Sequence, residues 1–175
     1  MKSWVRNSAT RFSAGGAVFA SVLALGLASA AGADNLGTYD YWTAWSDTEG
    51  GATICYVSSV PQDSQPTNVS RGAIHFIVTN RPGKQNEVST LIGYPFHESN
   101  ANASAAIDGR SYPMVTEGSA AWLASVEDEP TFVSGMRAGS TMIVRGTSQR
   151  GTNTTDTYSL RGVTAALNRI AEACN

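Results

Sequence analysis

The chain has 175 residues, of which 42% are hydrophobic and 15% are charged, and its formal net charge is −2. This composition supports a hydrophobic core and excludes a disordered chain, and the lack of excess positive charge argues against nucleic-acid binding. Two Cys and 17 Gly exclude a disulfide-rich miniprotein and a collagen-like chain. The length predicts one domain.

The first 33 residues predict a cleaved secretory signal peptide. Three cations and no acid precede an apolar run over residues 14–28, which is too short and too rich in Ala and Gly for a transmembrane helix. Two small-residue cleavage patterns follow, ending at residues 30 and 33. Cleavage before Asp34 leaves a domain of residues 34–175 with nine basic and fourteen acidic residues, a net charge of −5. We therefore expect a periplasmic or secreted protein, with outer-membrane association left open and no transmembrane segment after cleavage.

The first half of the mature chain predicts β-strands separated by polar turns. Aromatic and β-branched residues mark four strands, which are Tyr39–Trp45, Ala52–Ser59, Gly72–Asn80 and Glu87–Tyr94. The polar segment 61–70, which contains two Pro, predicts an exposed loop. Pro82 followed by Gly83 predicts a type II turn, because only the second central residue of that turn needs a positive φ.

The next part of the chain predicts a hairpin and a short strand. Asp108-Gly109, between Ala105–Ile107 and Arg110–Thr116, is a strong signal for a two-residue hairpin turn. Pro113 cannot donate a ladder hydrogen bond, so its strand is expected to be bulged or at a sheet edge. Ala120–Ser125 predicts a short apolar strand.

Two helices and two more strands are predicted near the C-terminus. Pro130–Ala138 is predicted as a helix, with Asp128 or Glu129 as its cap and Gly139 as a left-handed stop. Two strands follow, at Thr141–Ser148 and Thr154–Leu160. Apolar residues at helical spacing predict a second helix over Gly162–Cys174. The order of elements predicts a mostly β sandwich with short helices near the C-terminus.

The two cysteines bear on both compartment and fold. Export would place Cys55 and Cys174 where disulfide bonds persist, and they allow one intramolecular bridge. The register of the last helix points Cys174 toward the core, which favours a bridge to a strand cysteine; two separate buried thiols are the alternative. No C-x-x-C occurs, so neither a redox motif nor a zinc knuckle is indicated.

The sequence contains no recognised catalytic motif. There is no G-x-S-x-G and no Gly-rich phosphate loop, and the two His lack H-E-x-x-H, so we expect no metal and no other cofactor. The acid–base candidate is His97 with Glu98 or Asp108; the alternative is a solvated loop histidine. His75 lies among apolar residues of a strand and is interpreted as structural.

Three tryptophans are candidates for a contact surface, because large aromatic side chains dominate interface energetics. Trp122 lies in an apolar run and is interpreted as a core residue. Trp42 and Trp45 are three positions apart, so on one strand their side chains face opposite ways. The pattern therefore predicts that one of these two is exposed and available to a partner.

Six stretches of the mature chain form an ordered set that covers nearly all of it. They are CYVSSVP (55–61), RGAIHFIVTNRPG (71–83), EVSTLIGYPF (87–96), AAIDGRSYPM (105–114), AAWLA (120–124) and MRAGSTMIVRGTSQRGTNTTDTYSLRGVTAALNRIAEAC (136–174). Together they resemble the invasion-associated locus B family of Gram-negative envelope proteins. The resemblance implies an immunoglobulin-like β-sandwich, export to the periplasm or envelope, and pairing of Cys174 with Cys55. It also implies an association with host-cell invasion in some pathogens, without a settled biochemical activity.

Three hypotheses about function follow. The first is a non-catalytic binding or structural module of the envelope, which presents loops such as 61–70 and 95–104 to a protein or other envelope partner. The second is an envelope hydrolase or transferase that uses His97 with a carboxylate. The third is an inhibitor or chaperone of another exported protein.

Overall fold

The computed structural model describes residues 32–174. The predicted signal peptide lies outside this part of the chain, apart from its last two residues, and stays a prediction. Between residues 32 and 174, no helix is long and apolar enough to cross a membrane.

The described residues form eleven strands and two α-helices. The strands are β1 (Asp34–Tyr39), β2 (Trp42–Glu49), β3 (Ala52–Ser59), β4 (Asp63–Gln65), β5 (His75–Arg81), β6 (Lys84–Leu91), β7 (Ser104–Ile107), β8 (Arg110–Glu117), β9 (Ala120–Leu123), β10 (Thr141–Thr147) and β11 (Asn153–Ser159). The helices are α1 (Glu129–Ala138), which follows a 3₁₀ turn at Val126–Asp128, and α2 (Val163–Ala173).

All strand pairs are antiparallel, in the order β1-β2-β3-β5-β6-β9-β8-β7-β10-β11-β4. Strand β8 joins two sheets, because its first half pairs with β7 and its second half pairs with β9. Pro113 pairs with Ser104 at the end of the first half, and Met114 begins the pairing with β9 opposite Leu123. The proline therefore lies where the strand changes partner, a position that tolerates a residue without an N–H.

The two sheets face each other across an aromatic core. The ring centroid of Phe76 on β5 lies 5.8 Å from that of Tyr158 on β11 and 5.9 Å from that of Phe132 on α1. Helix α2 packs against β1, β2 and β3 and buries one apolar side, formed by Val163, Ala166, Leu167 and Ile170. The predicted mostly β fold with short helices near the C-terminus is confirmed.

A disulfide bond ties the end of α2 to the first sheet. Cys174 is bonded to Cys55 on β3, with their Cα atoms 5.9 Å apart. Cys55 is fully buried, as expected for an inward position of β3, where Val57 is buried as well. The bridge, rather than two free thiols, is therefore the pairing found.

Both predicted two-residue turns are present. Asp108 and Gly109 have φ values of 45° and 92° between β7 and β8, the positive pair that a type I′ hairpin requires. Gly83 has φ 78° between β5 and β6, as the second central residue of a type II turn does.

Several local predictions were wrong, and one is the loop predicted over residues 61–70, where residues 63–65 form β4 and pair with β11. The strand predicted over Tyr39–Trp45 is divided by a turn at Asp40, which has φ 51°, a conformation that Asp tolerates better than most residues. Gly139 is extended, at φ −85° and ψ 175°, rather than left-handed. Asp128 precedes α1 but makes no side-chain cap hydrogen bond, and Glu129 is buried instead of capping, with its carboxylate 3.8 Å from Lys84 Nζ.

Candidate functional site

Three connecting segments enclose a cleft of about 500 Å³. Residues 68–71 precede β5, residues 93–95 follow β6, and residues 148–154 form the turn between β10 and β11 together with the first two residues of β11. The volume lies within the range of ligand pockets, roughly 300–1,000 Å³. The first segment overlaps the predicted contact loop 61–70, and the second reaches Pro95 at the start of the predicted contact loop 95–104.

A close backbone contact joins the first two segments. The Gly72 N–H donates to the Gly93 carbonyl oxygen at 2.8 Å. Gly93 has φ 81°, and a Cβ there would lie 2.6 Å from the Gly72 carbonyl oxygen. Only glycine meets both conditions without strain. This contact holds Arg71, the residue before Gly72, beside the Ile92 carbonyl.

Arg71 forms a buried ion pair at the wall of the cleft. Its side chain is 7% exposed, and that of its partner Asp156 is fully buried. The pair is bidentate, with Nη1 donating to Oδ1 at 2.7 Å and Nη2 donating to Oδ2 at 2.6 Å. Nε and Nη2 also donate to the Ile92 carbonyl, at 3.1 Å and 2.7 Å. Four of the five guanidinium N–H groups are thereby used, and one on Nη1 has no acceptor among the described residues.

Tyr94 fixes the other side of this arginine. The guanidinium carbon of Arg71 lies 5.1 Å from the centroid of the Tyr94 ring, a cation–π distance. The Tyr94 hydroxyl and the Thr154 Oγ1 are 2.6 Å apart. Burial raises the pKa of Tyr94, so its phenol stays protonated. A Cβ on Gly146 would lie 2.6 Å from a Phe96 ring carbon and 3.0 Å from the Tyr94 hydroxyl, so the residue behind this tyrosine must be small.

The mouth of the cleft is polar and carries positive charge. Gln149 and Arg150 are exposed on the β10–β11 turn, opposite the exposed Asn68 and Ser70. No Asp or Glu lines the cleft. Arg150 forms no ion pair with any residue in the range 32–174. Because Asp156 neutralises Arg71, the uncompensated charge at the site is that of Arg150.

The proposed His97–carboxylate pair is not assembled. Within the described chain, the His97 ring is hydrogen-bonded only to Ser99, at 3.4 Å and 3.5 Å, and forms no ion pair with Glu98 or Asp108. Asp108 instead accepts hydrogen bonds from Ser140 and Thr141. The backbone N–H groups of these two residues lower the pKa of Asp108, which makes it a weaker base.

Trp42 and Trp45 lie on opposite faces of β2, as predicted, whereas Trp122 does not occupy its predicted place in the core. Trp42 is fully buried and its Nε1 donates to the Ser159 carbonyl at 2.9 Å, so it is unavailable to a partner in this fold. Trp45 is half-buried on the other face of β2, 6.3 Å from the Tyr56 ring and nearly parallel to it. Trp122 was wrongly interpreted as core: its neighbours Ala121 and Leu123 point inward, which turns the indole to the outer face of β9.

No metal centre is evident in the described part of the chain. Among residues 32–174, no three His, Cys, Asp or Glu side chains are grouped closely enough to hold a metal ion.

Sequence reasoning missed Arg71, Asp156 and Tyr94. Arg71 and Asp156 are 85 positions apart, and the sequence around either residue does not indicate that they are in contact. One signal was available at Asp156. It lies two positions from both Thr154 and Tyr158, so all three side chains are on the inward face of β11. A carboxylate at a core position is rarely left without a cationic partner.

Comparison with protein families supplies the classification. The model for the family described as "Invasion associated locus B (IalB) protein" matches residues 42–171. The chain belongs to the invasion-associated locus B family. The matched range contains every residue of the cleft and Cys55, but ends before Cys174. No curated protein and no solved structure matches the sequence.

The cleft of this invasion-associated locus B domain is lined by hydrogen-bonding groups. The cavity is lined by the guanidinium donors of Arg71 and Arg150, the side-chain amides of Asn68 and Gln149, and several hydroxyls. Nucleophilic catalysis requires a nucleophile within hydrogen-bond reach of a base. Among the described residues, the cleft lining contains hydroxyls but no His, Asp, Glu, Lys or Cys.

Proposed function

We propose that this protein is an exported, non-catalytic binding module of the cell envelope, and that its ligand occupies the Arg71–Arg150 cleft. The observation that carries the proposal is the buried Arg71–Asp156 pair in the cleft wall. A buried ion pair is weak evidence for stability, because the desolvation penalty offsets much of the attraction. Charged groups held rigidly at a cavity are instead typical of binding and catalytic sites.

Several features favour binding over reaction. The ion pair, the Tyr94–Thr154 hydrogen bond and the Gly72–Gly93 contact fix the walls before any ligand arrives. A preformed site binds with a smaller loss of conformational entropy. The hydrolase hypothesis depends on a pairing of His97 with Glu98 or Asp108, neither of which is bonded to it.

Export is tested separately from binding. The full-length protein is expressed in a Gram-negative host, and the periplasmic, membrane and cytoplasmic fractions are analysed by intact-mass spectrometry. We expect a periplasmic or membrane-associated species that begins at Asp34 and is two mass units lighter than its reduced form. A cytoplasmic protein that retains its leader would refute export.

Binding at the cleft is tested by chemical crosslinking in the envelope fraction. Three full-length variants are compared with the parent: Arg150→Ala in the cleft, Arg145→Ala as a matched control, and His97→Ala as a probe of the predicted contact loop 95–104. Arg145 is exposed on β10 and does not line the cleft. We expect Arg150→Ala alone to lose the crosslinked species. Equal crosslinking by the parent and Arg150→Ala, or loss in His97→Ala instead, would place the ligand outside the cleft. The enzyme hypothesis would be favoured only if purified protein had an activity that His97→Ala abolishes.

A further inference from the structure

The cleft lining specifies a ligand class, and this inference rests on the proposed binding function. We propose that the cleft binds short peptides that end in a free carboxylate. Arg150 pairs with the carboxylate, Asn68 and Gln149 exchange hydrogen bonds with peptide amides, and Tyr94 with Pro95 contacts the adjacent side chain.

The charge pattern points to an anionic group. The only ionisable side chains that line the cleft, Tyr94 aside, are Arg71 and Arg150. A guanidinium presents a planar fork that matches a carboxylate in two parallel hydrogen bonds. The expected mature charge of −5 disfavours anions near the surface as a whole, but an anion that approaches Arg150 would meet no acidic side chain in the cleft lining.

The unused donor on Arg71 strengthens this assignment. Its side chain is only 7% exposed, yet one Nη1–H has no acceptor among residues 32–174. A buried donor without an acceptor costs free energy, so a ligand oxygen at this position would be favoured. Asp156 occupies the end of the Arg71 fork, so Arg71 offers a single hydrogen bond and Arg150 provides the charge.

The rest of the lining suits a peptide better than a compact inorganic anion. Asn68 and Gln149 each provide both a donor and an acceptor, which is the complement of a peptide amide. A phosphate ion at neutral pH carries one or two O–H donors, but it does not offer the paired N–H donor and C=O acceptor of a peptide group. The ring of Tyr94 and the exposed Pro95 add an apolar wall, and a cavity of about 500 Å³ is larger than a single oxyanion needs.

The test uses N-acetyl-trialanine as the probe, because its only charge is the C-terminal carboxylate. Disulfide-bonded, ¹⁵N-labelled protein is titrated with this peptide, with N-acetyl-trialanine amide and with inorganic phosphate, and amide shifts are followed. We expect saturable shifts for residues 69–71 and 148–152 with the acid, and affinity at least about tenfold weaker for the amide, as the loss of one charge-assisted hydrogen bond predicts.

Two variants test whether binding depends on Arg150 itself or on the positive charge of the protein in general. Arg150→Ala is expected to weaken binding of the acid by at least about tenfold, while Arg145→Ala changes it less than about twofold. Equal affinity for acid and amide, absence of shifts with the acid, or saturation by phosphate alone would each overturn the carboxylate–peptide assignment. If the crosslinks described above still depend on Arg150, the binding function stands and only the ligand class is wrong.

Discussion

Asp156→Asn removes the negative charge from the buried pair and keeps the size of the side chain. Arg71 then stays 7% exposed with no counter-charge, since no other carboxylate bonds to it in the described chain. Loss of one member of a buried ion pair costs about 3–5 kcal/mol. The whole free energy of unfolding of a domain is only about 5–15 kcal/mol, so this substitution is expected to be severe.

The chain offers a matched control for this substitution. Asp40 forms an ion pair with Arg161 at 3.0 Å, and those side chains are 44% and 70% exposed. Asp40→Asn therefore removes the same charge from a solvent-exposed Asp–Arg pair, and we expect it to lower the free energy of unfolding by less than about 1 kcal/mol. Asn also tolerates the positive φ of residue 40.

The assay is equilibrium unfolding in urea with the disulfide bond intact, followed by tryptophan fluorescence and by far-ultraviolet circular dichroism. Coincident transitions are needed before the free energies are compared. If Asp156→Asn unfolds within about 1 kcal/mol of the parent, or costs no more than Asp40→Asn, the desolvation argument for Arg71 is wrong.

Three further outcomes follow from the same structure. Replacing Cys55 and Cys174 by Ala frees a loop of 119 residues, and chain entropy predicts a loss of about 5 kcal/mol in urea unfolding. Burial raises the pKa of Glu129, so the folded state favours the protonated carboxyl, and ionisation costs stability as pH rises through the folded pKa. Glu129→Gln should therefore be more stable than the parent at neutral pH, with the difference vanishing below the ordinary Glu pKa of about 4.3. Gly146→Ala should cost about 1–3 kcal/mol by overpacking against Phe96.

Each of these outcomes has a result that would contradict it. A loss below about 1 kcal/mol without the disulfide would show that the loop-closure estimate does not apply to this unfolded state. A Glu129→Gln advantage that persists at acid pH would mean that packing, not ionisation, is responsible. For Gly146, the control is Gly72→Ala, where a Cβ would meet its nearest neighbour at an ordinary 3.4 Å. Equal losses in the two would refute overpacking.

The elements that the sequence predicted well are those whose signal is local. The two-residue turns at residues 82–83 and 108–109 require a positive φ, and the Gly in each turn indicates this because glycine adopts that conformation without strain. The apolar face of α2 could likewise be predicted from the helical spacing of its apolar residues. The same spacing predicted that Cys174 points toward the core. Such features need no knowledge of the rest of the chain.

The errors arose where distant residues decide the conformation. Trp42 begins β2 instead of continuing a strand from Tyr39, and its indole is held by the Ser159 carbonyl, 117 positions away. A Cβ on Gly162 would overlap the Tyr39 carbonyl, so the turn at residue 40 is also shaped by the start of α2. Tertiary contacts of this kind override local strand propensity.

The cleft could not have been predicted for the same reason. Its walls come from three segments that are spread over residues 68–154, and its central ion pair spans 85 positions. Many sequence motifs for catalysis contain His, Cys or acidic residues, and none of these lines the cleft in the described part of the chain. Arg71 directly precedes a predicted strand, and an arginine at such a position is ordinarily exposed to solvent, so it did not indicate a site.

Stability and recognition should separate when the whole ion pair is replaced. In Arg71→Met/Asp156→Leu neither charge is left buried, and apolar replacements of buried pairs are often neutral or stabilising. The Ile92 carbonyl loses its two donors, which costs about 1–3 kcal/mol, so the double variant should unfold within about 2 kcal/mol of the parent and be more stable than Asp156→Asn. It should nevertheless bind N-acetyl-trialanine more weakly, because the Nη1 donor is gone. A double variant as unstable as Asp156→Asn would mean that the pair is needed for the fold itself, and its place at the cleft would then carry no argument for function.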